Sequence, residues 1–126
     1  MATTKFTFDE ASLRILYDML CATVMFPLDL RLPPEWLIRF EITKDDEAYG
    51  WANPEDEYGD PFGEYTIEIS RVKNTTYKDL VETLLHEMTH IHLHHIGIKD
   101  WDEHLKNSPF SQVKARIDMF TGFDIS

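Results

Sequence analysis

The chain has 126 residues, 43% of them hydrophobic, a size and apolar content that fit one domain with a core of its own. Its formal charge of -11 argues against a surface that displaces counterions from nucleic-acid phosphates, and no apolar run approaches the roughly 18 to 20 residues that span a bilayer. The single cysteine, Cys21, rules out an internal disulfide and reads as a buried structural thiol within Leu20-Cys21-Ala22.

The opening Met1-Ala2-Thr3-Thr4-Lys5 is not followed by the apolar core of a signal peptide, which predicts a soluble, cytoplasmic protein. A first helix is expected from Asp9 to about Cys21. Asp9 can accept hydrogen bonds from the first free amides, and Leu13, Leu16, Tyr17 and Leu20 recur at helical spacing. Pro27 and Pro33-Pro34 then break the chain. Trp36, Ile38, Phe40 and Ile42 fall on one side of a period-2 pattern, as a half-buried strand requires, and the apolar piece from Ala48 to Ala52 is placed to pair with it.

From Asp45 to Glu64 there are eight acidic residues and no Lys or Arg, which leaves 15 acids against 12 bases elsewhere, so most of the acidity is local. Asn53-Pro54 through Gly63 mixes Pro, Gly and acid, the chemistry of a solvated loop; the functional alternative is a surface that attracts a basic partner. Tyr65, Ile67 and Ile69 alternate with Thr66, Glu68 and Ser70 and predict another strand. The period then changes. Leu80, Val81, Leu84, Leu85, Met88, Ile91 and Ile96 form a broad helical arc from about Tyr77 to Ile96, with Gly97 placed to end it at positive φ.

A last helix is expected to open at Ser108-Pro109 and to run through Phe110, Val113, Ile117 and Phe120 towards Gly122. The order of helix, strands and two helices predicts a small α+β fold, a single domain over residues 1–126, with a short, mainly antiparallel sheet of about three strands.

All six histidines lie between His86 and His104, and His86-Glu87-Met88-Thr89-His90 falls within the long predicted helix. Residues four apart on a helix are neighbours on one face, so His86 and His90 can present two imidazole nitrogens to one zinc ion at roughly 2.0 to 2.1 Å. Glu87 lies to the side of that pair, where it can exchange a proton with a water without occupying a ligand position. A zinc ion with three protein ligands keeps a fourth position open, acidifies water there and polarises a carbonyl, so amide hydrolysis follows from this set.

The third ligand comes from elsewhere. His94 shares the face but lies about 12 Å along the axis from His86, too far for the same tetrahedron. Beyond Gly97, Asp100, Asp102, Glu103 and His104 all come within reach; imidazole chemistry favours His104, with Glu103 next. His92 and His95 point towards the apolar arc and read as hydrogen-bonded core or boundary residues. Thr83, one turn before His86, reads as an exposed threonine, with a supporting contact to the site as the alternative.

These residues resemble the SprT-like family of zincin metallopeptidases, which includes the Spartan proteases that degrade proteins crosslinked to DNA. The resemblance is carried by Ile67-Glu68-Ile69-Ser70, by Thr83-Leu84-Leu85-His86-Glu87-Met88-Thr89-His90, and by His104 with Phe110 after it. Tyr49-Gly50-Trp51-Ala52 is similar to the family's glycine-containing strand. It spans about Trp36 to Phe120 and is most specific from Leu84 to His90.

The resemblance implies a zincin-like minidomain in which His86, His90 and His104 hold one Zn2+, Glu87 is the catalytic acid/base, and peptide bonds of protein substrates are hydrolysed. In zincins an edge strand beside the active helix pairs with extended substrate, a role open here to Tyr65–Ser70 or to Ala48–Ala52. The chain differs from the family in two respects: the aromatic follows His104 by six residues, and no cysteine-rich zinc ribbon is present. With the acidic charge, the second difference leaves DNA-guided proteolysis unsupported.

The competing expectation is an acidic binding or inhibitory module that keeps a zincin shell while engaging a basic protein or mimicking nucleic acid. A metal-stabilised structural protein is a third. Glu87 favours the enzyme, since a structural zinc site needs no general base.

Overall fold

Asp9 opens the first helix as expected, its carboxylate accepting from the Ser12 amide at 2.8 Å and the Ser12 hydroxyl at 2.7 Å. The computed structural model describes residues 6–53, 65–98 and 106–125. Helix α1 (Glu10–Leu20) buries Leu13, Leu16, Tyr17 and Leu20. It runs into a wider turn, Cys21–Met25, that periodicity does not predict. There the Phe26 amide donates to the Cys21 carbonyl at 2.8 Å, a bond one residue longer than the α-helical one, and Val24 and Met25 turn into the core.

Cys21 is half-buried, and burial pushes its thiol up to about 11, in keeping with a structural role. The proline-rich connection that follows is fastened to α1. The Tyr17 hydroxyl donates to the Pro33 carbonyl at 2.6 Å, and Arg14 donates to the Glu35 carboxylate at 2.9 Å and the Ile38 carbonyl at 3.2 Å.

The connection ends in one tight turn, Glu35–Leu37, closed by the Leu37 amide on the Pro34 carbonyl at 3.0 Å. Strand β1 (Ile38–Thr43) starts only after it. Trp36, expected on the inward side of a longer strand, sits in that turn and is 68% exposed, because the turn rotates it out of the pleat. Ile38 and Phe40 are buried, as the alternation predicts.

Strands β2 (Gly50–Asn53) and β3 (Tyr65–Ser70) complete a sheet of order β1-β3-β2. β1 pairs in parallel with β3 from Ile38↔Tyr65 to Thr43↔Ser70. β2 pairs antiparallel with β3 from Gly50↔Ile69 to Asn53↔Thr66. The sheet is therefore mixed rather than mainly antiparallel, and the Ala48–Ala52 piece contributes to a strand that pairs with β3 instead of with β1. The chain between β1 and β3 is long enough for the crossover that a parallel pair needs. It also places the fully buried Ile67 and Ile69 on the central strand, the most covered position in the sheet.

Helix α2 (Tyr77–His95) is capped by the Thr76 hydroxyl, which accepts from the Asp79 amide at 3.1 Å. Leu80, Val81, Leu84, Leu85, Met88 and Ile91 are buried, whereas Ile96 caps the helix and is 46% exposed. Gly97, at φ +86°, lets the chain turn back so that the Ile98 amide reaches the Leu93 carbonyl at 2.8 Å and the Gly97 amide the His94 carbonyl at 3.0 Å.

Helix α3 (Pro109–Thr121) opens on the Ser108 hydroxyl, which accepts from the Ser111 amide at 3.1 Å, and ends at left-handed Gly122. Phe110, Val113 and Ile117 are buried; Phe120 faces outward. The result is a mixed α+β fold of three helices and one three-stranded sheet whose buried apolar residues form one core. No helix among the described residues is long and apolar enough to cross a membrane.

Candidate metal centre

α2 brings His86, Glu87 and His90 together: one ligand atom from each lies within 4.8 Å of the others. The two imidazoles are half-buried and Glu87 is only 4% exposed. This spacing follows from helix pitch alone, while the burial comes from what packs on the motif from three sides. Two imidazoles with an adjacent carboxylate form a donor set that fits zinc. Among the described residues it is the one such group that could hold a metal ion.

Sheet edge β2 covers the first side. A side chain at Gly50 would put its Cβ 2.9 Å from the Glu68 carbonyl oxygen, 3.0 Å from Thr83 Cγ2 and 3.4 Å from Glu87 Cγ, so a residue without a Cβ is what lets β2 approach the motif this closely. Asn74, 1% exposed, holds that approach in place. Its amide donates to the Tyr49 carbonyl at 2.9 Å and the Ser70 carbonyl at 2.7 Å, and its Oδ1 accepts from the Thr83 hydroxyl at 2.7 Å. Thr83 is thus buried and hydrogen-bonded rather than exposed. Asn74 carries no signal in the sequence.

The first turn of α3 covers the second side. The Phe110 ring, 1% exposed, lies 4.7 Å from the His86 ring centroid and 4.5 Å from that of His90. The His86 and His90 rings are themselves 5.1 Å apart. An apolar wall of this kind restricts both imidazoles to few rotamers. The segment after α3 covers the third side: the Ile125 carbonyl lies 2.5 Å from His86 Nδ1. Neither Ile125 nor its neighbours stand out in the sequence.

The other described histidines, His92, His94 and His95, lie apart from the group. His92 is 5% exposed, its Nδ1 donates to the Arg31 carbonyl at 2.6 Å, and burial holds its pKa below the ordinary histidine value. This matches the expected core histidine. His95 is exposed, in contrast to its expected place on the apolar arc, and its Nδ1 lies 3.4 Å from the Tyr65 hydroxyl. His94 packs edge-on to the Tyr65 ring at 5.9 Å. His104, with Asp100, Asp102 and Glu103, lies outside the described residues, as do Glu55 to Glu64 of the acidic run. Of that run, Asp45 organises a turn, its carboxylate accepting from the Glu47 amide at 2.8 Å and the Trp51 indole at 3.4 Å.

No protein-family model and no curated protein matches the chain.

Of the two strands considered for pairing with extended peptide, β3 is central and has both its edges filled, whereas β2 is an edge strand among the described residues and lies against the motif.

Proposed function

We propose that the chain is a zinc-dependent metallopeptidase of the SprT-like, zincin type, acting on protein substrates. The observation that carries this reading is the grouping of His86, Glu87 and His90 within 4.8 Å on one helix, with the carboxylate almost fully buried. His86 and His90 would hold the ion, with His104 as the third ligand. Zinc, when bound, supplies a Lewis acid that acidifies water and polarises a carbonyl oxygen.

The protein's own groups do the rest. Glu87 takes the proton from the attacking water and returns it to the amine nitrogen as the carbon–nitrogen bond breaks. A structural metal site has no use for a carboxylate in this place, and its burial between α2 and β2 strengthens its electrostatic effect on nearby atoms. The edge of β2, unpaired among the described residues, offers backbone groups to an extended peptide alongside the motif.

The test is to measure bound zinc and cleavage of a panel of unfolded proteins for the wild type, Glu87→Gln and His104→Ala. The expected result is one zinc per wild-type chain, zinc retained in Glu87→Gln with cleavage reduced at least about 100-fold, and weakened zinc binding in His104→Ala. A zinc-loaded wild type that cleaves no faster than Glu87→Gln removes the peptidase reading. It leaves the acidic binding module, which the acidic run from Asp45 to Glu64 favours.

A further inference from the structure

The four described residues after α3, Gly122 to Ile125, are held with more specificity than an exposed tail needs. Gly122, at φ +78°, turns the chain back along α3. The Asp124 amide then donates to Glu82 Oε2 at 3.0 Å, on α2 one turn before His86, and the Ile125 amide donates to Asp118 Oδ1 at 3.1 Å, on α3. Lys114 locks the arrangement from outside, pairing with Asp118 and, at 2.9 Å, with Asp124 Oδ1. The Ile125 side chain is 1% exposed. Two helices thus grip two successive amides, and the next polar group along the chain, the Ile125 carbonyl, meets His86 Nδ1.

A carbonyl oxygen can only accept, so this contact requires a proton on Nδ1. In neutral His86 the lone pair is then on Nε2, the state in which an imidazole binds a metal through that atom. We propose that the segment Asp124-Ile125 is a positioning device that commits His86 to its Nδ1–H tautomer, with Glu82 and Asp118 as the positioning residues that hold it. The consequence for metal affinity rests on the zinc reading given above; the tautomer itself does not. Groups that orient a ligand imidazole through its second nitrogen typically change metal affinity 10- to 100-fold when removed.

The test uses 15N-labelled, metal-free protein at pH 7.5. Two-bond nitrogen–proton spectra of the His86 ring identify which nitrogen carries the proton, and chelator competition separately gives the zinc Kd. The wild type is expected to show Nδ1–H. Removing residues 124–126 is expected to move His86 towards the Nε2–H form that free histidine favours in water and to weaken zinc binding about 10- to 100-fold. Ile125→Ala, which loses the buried side chain and keeps the carbonyl, is expected to retain Nδ1–H.

If the shortened chain does not fold, the double variant Glu82→Ala/Asp118→Ala in the full chain is read in the same way. Nε2–H in the wild type, or Nδ1–H retained in both the shortened chain and the double variant, overturns the proposal. A wild type that shows Nδ1–H, loses it in the shortened chain and binds no zinc supports the positioning device while removing the peptidase reading.

Discussion

Gly50→Ala tests how the motif is covered. The added methyl would meet a backbone carbonyl oxygen at 2.9 Å, Thr83 Cγ2 at 3.0 Å and Glu87 Cγ at 3.4 Å. The two side-chain contacts can ease by small rotations. The Glu68 carbonyl cannot, because it belongs to β3, and β3 is held by a strand on either side. Relief requires β2 to shift against β3, and overpacking of this sort costs about 1–3 kcal/mol. With a urea slope of about 1.5 kcal/mol/M, a loss of about 2 kcal/mol lowers the unfolding midpoint by about 1.3 M.

Thr83→Ser keeps the hydroxyl bonded to Asn74 and removes only Cγ2, so the double variant Gly50→Ala/Thr83→Ser should recover part of the loss and no more. Gly97→Ala is the control: among the described residues nothing lies within 4 Å of its added Cβ, and its cost, about 1–2 kcal/mol, is set by φ +86°. Zinc affinity should fall in Gly50→Ala and stay unchanged in Gly97→Ala. An unchanged midpoint in Gly50→Ala, or full recovery on adding Thr83→Ser, would refute the claim that the Glu68 carbonyl sets the closest approach of β2.

Three more expectations follow from the same packing. Phe110→Ala should cost about 3–5 kcal/mol in denaturant unfolding and weaken zinc binding, whereas Phe110→Leu should keep most of both; equal zinc affinity in all three proteins would show that the ring does not restrain the imidazoles. Burial, reinforced by Glu41 and Asp45, raises the Glu68 pKa, so the folded state holds its proton more tightly than the unfolded chain does and loses stability as pH rises through the folded pKa. Glu68→Gln should therefore raise the urea midpoint at pH 7, and the gain should vanish below pH 4. With its thiol pushed up from 9.0 to about 11, Cys21 should alkylate about 100-fold more slowly at pH 7 than an ordinary thiol, and at the ordinary rate once urea unfolds the chain.

The elements legible in the sequence are those whose cause is local. Asp9, Ser108, Gly97 and Gly122 mark helix ends because capping depends on one or two residues and their neighbours. The buried arc of α2 is legible for the same reason. Sheet order was not, because alternation fixes which face of β1 or β3 is inward and says nothing about which strand lies beside which. Trp36 was misplaced because a tight turn after Pro34 delays the start of the alternation by two residues, and an apolar pattern does not register a turn.

At the site, the motif announced His86, Glu87 and His90. Two of their supports stayed hidden. Asn74 acts through carbonyls of β3 and of the residue before β2, and the Ile125 carbonyl is a group every residue has, so neither leaves a compositional trace. Gly50 and Phe110 showed themselves through the family resemblance, and Thr83 through its place one turn before His86.

The mixed sheet also sets an order of assembly. α2 closes its hydrogen bonds between near neighbours, on a timescale close to a microsecond, whereas β1 finds β3 only when Ile38 meets Tyr65 across a long intervening chain. The spacing of the two imidazoles and the carboxylate is thus present as soon as the helix exists. The burial of Glu87 waits for β2 to take its place on the far side of β3. The spacing of the group is therefore a property of one helix, whereas the burial of its carboxylate is a property of the assembled sheet, so a change that loosens β2 should expose Glu87 and leave the spacing of the two imidazoles as it is.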